Sequence, residues 1–291
     1  MSFEILAQTF INGLFLGGTY ALFAGGLTLI YGVMYLINFA HGEFLMIGMY
    51  VSYWAFALAG IDPYLSVFLA AMAMFILGMI IQRVLFKPVL NAPLLNQILL
   101  TLGLSTLLMG LAQFFWGAEP RSLRLSYAAN SLFTLGGLIF NLPRSIAMFV
   151  ALTLCVLLYL FLTYTKSGKA IRACSQSREA AQLMGINVTR INMLTFGIGA
   201  AMVGIAGALI TPSVPINPTV GQIFGISAFV IVVMGTMGNV MGAFVGALII
   251  GVAEAYGGLL IGGQLKQVVS MAIFILILLF LPQGLFGRRG L

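Results

Sequence analysis

The chain has 291 residues, of which 62% are hydrophobic and only 7% charged, with a net charge of +7 and a mean hydropathy of +1.13. Soluble domains carry about a quarter charged residues, and no single soluble core buries so much apolar surface, so a soluble enzyme or a nucleic-acid-binding domain is excluded. The composition is that of an all-α polytopic membrane protein, folded as a single transmembrane domain over residues 1–291.

Apolar runs of roughly 20 residues, the length that crosses about 30 Å of hydrocarbon as a helix, predict about nine transmembrane helices, with eight to ten as the range. They fall at Leu6–Met34, Ala40–Leu58, Tyr64–Leu85, Asn96–Trp116, Ser145–Tyr164, Ile191–Pro212, Gln222–Met237, Gly242–Leu260 and Gln264–Leu281. The first is unusually long and the seventh short. The runs are continuous rather than alternating, which excludes a transmembrane β-barrel.

The first basic residue is Arg83, so no basic segment precedes the first span and no cleaved signal peptide is expected. Basic loops stay on the cytoplasmic side of a membrane. Arg83, Lys87, Lys166, Lys169, Arg172, Arg178, Arg190, Arg288 and Arg289 share one side, against Arg121, Arg124, Arg144 and Lys266 on the other. The expected topology is N-terminus outside and C-terminus inside. Cys155 falls in a span and Cys174 in a cytoplasmic loop, so both are expected as free thiols, with no metal site.

A polar stretch set in an otherwise apolar run is Asn38–Phe44, "NFAHGEF", which holds the only histidine. Asn38 is placed to cap the second helix, with Glu43 in its first turn, where the helix dipole favours a carboxylate by roughly 0.3–1 kcal/mol. Two readings of His41 stand open: a satisfied polar residue at the helix start, or a cytoplasmic-side gate or pathway residue.

Residues 165–190 form the longest cytoplasmic loop, with Lys166, Lys169, Arg172, Arg178 and Arg190 against Glu179 alone. Within it "SREAAQLMG" predicts a short amphipathic helix: Ser177 caps it, Glu179 suits its N-terminal end and Gly185 stops it. Ala180, Leu183 and Met184 share one face. Such a face either docks into a partner, or the loop is simply held by its basic residues near anionic lipid.

"TPSVPINP", Thr211–Pro218, cannot continue a helix through its prolines and reads as a rigid outer connection. It leads into "NPTVGQI", Asn217–Ile223, which echoes "NFAHGEF" as N-x-x-x-G-[E/Q]-apolar. Either two halves of opposite orientation are related by duplication, giving an inverted repeat, or Asn and Gly recur because both suit helix breaks. Gly238, Gly242 and Gly246, with Ala243, Ala247, Gly251 and Ala255, give the eighth span small-residue faces for packing inside the subunit or against another. Glu254 lies well inside that span, where a carboxylate is costly unless paired or hydrated. It reads either as a structural hydrogen-bonding group or as a substrate contact.

These motifs resemble the LivH-type permease of branched-chain amino acid ABC importers almost end to end. The residues that carry the resemblance are Ile37–Gly48, Ser167–Asn187, Thr195–Leu209, Ile216–Gly221, Gly251–Ala255 and Leu281–Arg288. "EAAQLMG" is similar to the E-A-A-x-x-x-G signature of ABC importer permeases. The resemblance implies that Arg178, Glu179, Ala180, Ala181, Leu183, Met184 and Gly185 form the helix that couples to an ATPase. It further implies an ABC importer permease fold in a bacterial cytoplasmic (inner) membrane. The implied partners are two ABC ATPase subunits, a second related permease, a periplasmic or extracellular substrate-binding protein and membrane lipid, with no nucleic acid. No cofactor is expected on the chain itself, ATP being bound by partner subunits, and "KSGKAIR" has Ala170 where a P-loop needs Ser or Thr. Asn38, His41, Glu43, Asn217 and Glu254 are the candidate pathway or gate residues.

Leucine, isoleucine or valine is the expected cargo, with urea, amides or other amino acids as the alternative within the family. A self-contained secondary transporter would need more intramembrane charge than His41, Glu43 and Glu254 supply. A membrane enzyme lacks any H-E-x-x-H or G-x-S-x-G pattern.

Overall fold

The computed structural model describes residues 2–123, 132–135, 138–263, 265–281 and 283–287; Arg124, Arg288, Arg289 and the Gln264 start of the ninth expected span lie outside the described residues. The helices are α1 (Phe3–Met34), α2 (His41–Ala59), α3 (Pro63–Ile81, continued by a π-helical turn Gln82–Phe86) and α4 (Leu94–Trp116). A hairpin of β1 (Leu132–Leu135) and β2 (Leu138–Asn141) leads to α5 (Leu142–Tyr164), α6 (Lys166–Gln176) and α7 (Arg178–Leu183). The chain continues as α8 (Val188–Ile210), α9 (Val220–Met234), α10 (Val240–Leu260) and α11 (Lys266–Phe280). Side chains of Asp62, Asn141, Asn187 and Asn239 cap α3, α5, α8 and α10 by accepting a backbone N–H, and Pro63 and Pro143 stand in the first turns that follow.

Seven of these helices, α1 to α5, α8 and α10, are long and apolar enough to cross a membrane by themselves. The remaining two expected spans are shorter than their apolar runs: α9 and α11 have 15 residues each, about 22 Å at 1.5 Å per residue. Apolar character alone does not distinguish helix from the extended segments that flank it. The 165–190 connection also departs from expectation, because α6 precedes the short amphipathic helix and fills most of what reads as loop.

α1 and α8 form the centre of the bundle, while α4 and α5 turn most of their surface outward. α1 lies along α10 and α3 along α8. The small-residue face of α10 is used within the subunit: a Cβ added at Gly17 would meet Leu248 Cα at 2.8 Å and the Ala247 carbonyl oxygen at 2.9 Å. Matching α1, α2 and α3 to α8, α9 and α10 turns the α1/α10 pair into the α8/α3 pair. α8 sets out from the end of the bundle where α1 stops, since Arg178, ten residues before α8, bonds to Val33 at the end of α1. The two halves therefore run in opposite senses, the arrangement of an inverted repeat.

The same end of the bundle holds Arg83, Lys87, Lys166, Lys169, Arg172, Arg178 and Arg190, whereas Arg121, Arg144 and Lys266 lie at the hairpin end.

Candidate functional site

The candidate residues occupy three places. The first is the α6–α7 connection. Ser177 Oγ accepts the Ala180 N–H at 3.2 Å. At the other end the N–H of Gly185 bonds to Gln182 O and that of Ile186 to Ala181 O, with Gly185 at φ +81. That pair of bonds closes the helix and needs a residue tolerant of left-handed backbone. A six-residue helix thus has both ends satisfied. Ala181 faces inward, while Leu183 and Met184 are 88% and 82% exposed. Glu179 and Ala180 are exposed beside them. Arg178 ties the helix to the bundle: Nε and Nη2 donate to Val33 O at 3.2 and 3.1 Å, and the guanidinium lies 5.9 Å from the Tyr35 ring centre. The last carbonyls of a helix lack intrahelical partners and carry partial negative charge, so a cation there is favoured.

The second place is the start of α2. Tyr35 caps α1 in the left-handed region at φ 52 and reverses the chain. Leu36, Asn38 and Ala40 are buried, and His41 stacks on Phe23 with ring centres 5.0 Å apart, donating Nε2–H to Phe23 O at 3.0 Å. Phe23 lies about three helical turns before the end of α1. The connection from Tyr35 to Ala40 therefore climbs back into the bundle, and His41 is not at the end where α1 stops, where a simple turn between spans would leave it. Irregular backbone at that depth is tolerated where protein surrounds it. Asn38 does not occupy the N-cap position, which is Ala40; its Oδ1 instead accepts the Ala40 N–H at 3.1 Å, one residue ahead of the helix.

Asn217 does the same at the start of α9, accepting the Thr219 N–H at 3.0 Å. The two helix starts meet: a Cβ added at Gly221 would lie 2.7 Å from the Gly42 carbonyl oxygen. Beside this crossing is a cavity of about 340 Å3, lined by Asn38, Glu43, Ser105, Gln222, Phe39 and Phe229 among others. Asn38 Nδ2, His41 Nδ1 and Glu43 Oε2 are buried without a hydrogen-bond partner. Three unmet polar atoms thus fall within six residues of a protein this apolar.

The third place surrounds Glu254, which is 1% exposed. Tyr20 Oη donates to its Oε2 at 2.8 Å and Ser227 Oγ to its Oε1 at 3.5 Å. Glu254 lines a second cavity of about 440 Å3 toward the hairpin end. The structure thus joins Asn38, His41, Glu43 and the Asn217 turn in one locus and leaves Glu254 and the α7 residues in two others. Tyr20, Phe23, Ser105, Gln222 and Ser227 are partners that the sequence does not single out. Gln222 alone carried a signal, as the counterpart of Glu43 in the repeated pattern.

Residues 9–278 match the family model described as branched-chain amino acid transport system, permease component. The chain is 36% identical over 293 residues to the high-affinity branched-chain amino acid permease BraD of Pseudomonas aeruginosa, covering 97% of this chain and 95% of the relative. It is 37% identical over 303 residues to the permease LivH of Salmonella typhimurium, covering 98% and 97%. A more distant relative, 28% identical over 292 residues, is the ribose import permease RbsC of Bacillus subtilis, with coverage of 96% and 84%. No solved structure matches the chain.

Proposed function

The chain belongs to the branched-chain amino acid permease family, and on that premise we propose that it is the membrane-spanning subunit of an ATP-driven importer for leucine, isoleucine or valine. It does no covalent chemistry. It stabilises two states of a pore differently, while ATP is bound and hydrolysed by separate subunits docked on α7. The end bearing α6 and α7 faces the cytoplasm of a bacterial inner membrane, with the N-terminus outside and the C-terminus inside, in accord with the seven basic side chains gathered there. A binding protein delivers cargo at the hairpin end, and a second permease completes the pore.

The observation that carries this reading is α7: a helix capped at both ends that holds Leu183 and Met184 out of the protein. Burying two such side chains in an ATPase groove is worth about 1.5–3 kcal/mol each. Arg178 gives the docked helix a handle on the end of α1. Movement of α7 as the ATPases close is passed through Val33 and Tyr35 to the Tyr35–Ala40 connection, and so to the crossing of α2 and α9, where access switches.

The test is co-purification from native membranes in mild detergent. The intact protein is expected to bring down Walker-motif ATPases, and a Glu179→Arg, Gly185→Trp variant to lose them while remaining folded. Stable protein with no ATPase in either sample would overturn the importer reading in favour of a self-contained transporter.

A further inference from the structure

The cavity beside Glu254 combines three kinds of surface. Phe15, Leu16, Ile210, Val214, Phe224 and Leu259 make an apolar wall; Glu254 supplies one carboxyl group; Arg144 and Lys266 supply two cations at the hairpin end. At about 440 Å3 it lies within the roughly 300–1,000 Å3 typical of small-molecule sites. Glu254 is buried and held by the Tyr20 hydroxyl at 2.8 Å, while the Ser227 hydroxyl, 3.5 Å from it, lies equally near Ile223 O. A carboxylate has about four acceptor positions, so capacity for another donor is left over. Among the described residues no ion pair forms on Glu254, Arg144 or Lys266, although all three line one cavity. An acid, two bases and an apolar wall lining one cavity are complementary to a small molecule that carries both charges beside an aliphatic group. For Glu254, buried well inside its helix, charge is costly without such a partner.

We infer that this cavity is a binding subsite for the zwitterionic form of an aliphatic α-amino acid. The ammonium donates to Glu254, the carboxylate is held by Arg144 or Lys266, and the side chain lies against Phe15, Ile210 and Phe224. The inference rests on the importer reading above and deepens it, since it names where this subunit itself recognises cargo that has left the binding protein. It also assigns the recognition to the ligand's adjacent ammonium and carboxylate groups, which a sugar such as the cargo of the ribose relative does not possess.

The test uses the complete permease–ATPase complex in lipid nanodiscs, without binding protein. Labelled leucine is displaced by unlabelled leucine, by 3-methylbutylamine, which lacks the carboxylate, or by 4-methylpentanoate, which lacks the ammonium. Each analogue is expected to compete at least tenfold more weakly than leucine. In Glu254→Gln, which keeps an acceptor for Tyr20, the gap between leucine and 4-methylpentanoate should shrink severalfold. An Arg144→Gln, Lys266→Gln double variant should instead narrow the gap for 3-methylbutylamine. Absence of leucine binding, equal competition by the analogues, or selectivity unchanged in both variants would overturn the subsite while the co-purified ATPases left the importer reading standing. Loss of the ATPases from the intact complex would remove the premise itself.

Discussion

The turn that opens α2 and the turn that opens α9 place an asparagine three residues ahead of the helix, with its side chain bonded to the N–H two residues on, at 3.1 Å from Ala40 and 3.0 Å from Thr219. In each helix the second residue is a glycine, and Gly42 and Gly221 touch. The side chains then part company. Position one is His41 in α2 and Val220 in α9; position three is Glu43 in one and Gln222 in the other. The repeated elements are those that set backbone geometry, and the unmatched positions carry buried, partly unbonded His41 and Glu43 in α2 alone. Geometry common to both turns holds the crossing together, and the differences are confined to the first turn of each helix.

The comparison breaks most severely at the glycines. Gly42→Leu or Gly221→Leu forces a side chain into opposing backbone, and overpacking of that kind costs about 3 kcal/mol or more. Both variants are expected to lose monodisperse protein in size-exclusion chromatography, and to equal degree; survival of either would show that the helix starts can separate. At the next level His41→Ala removes the bond to Phe23 O and the ring stack, a cost of about 1–3 kcal/mol. Uptake should fall more than tenfold with ATPase co-purification retained, whereas Val220→Ala should leave uptake within about twofold. Equal effects of the two would return His41 to a packing role. The smallest effect tests the shared part: Asn38→Ala and Asn217→Ala should each lower stability by about 1 kcal/mol, read as matching shifts in thermal unfolding, and a clear inequality would show that one turn bears more of the fold.

How much of this was legible from the chain depends on the range of each interaction. α7 could be read because its stop and start signals, Ser177 and Gly185, lie within nine residues and act on their own backbone. α6 was hidden because its basic residues interrupt the apolar pattern, although Thr165 caps it by accepting the Gly168 N–H at 2.9 Å. The start of α2 is visible at His41, but whether Tyr35–Ala40 leads away from the bundle or back into it is decided by Phe23 and by the facing glycine of α9. The role of Asn38 moved for the same reason, since the helix begins two residues later than a simple cap would require.

Composition and run length, which depend only on residues near one another, determined that this is an all-α membrane protein, where its apolar runs lie, which end is basic and that a small capped helix stands in the basic connection. The pairing of α1 with α10 and α3 with α8, the meeting of Gly42 with Gly221 and the enclosure of Glu254 by Tyr20 and Ser227 were decided by tertiary structure alone. Tyr20 is 234 residues from Glu254 and Ser227 is 27. Helices of nearly uniform apolar surface carry no local mark of their neighbours, and only close backbone approach and the need to satisfy buried polar atoms select one arrangement among many.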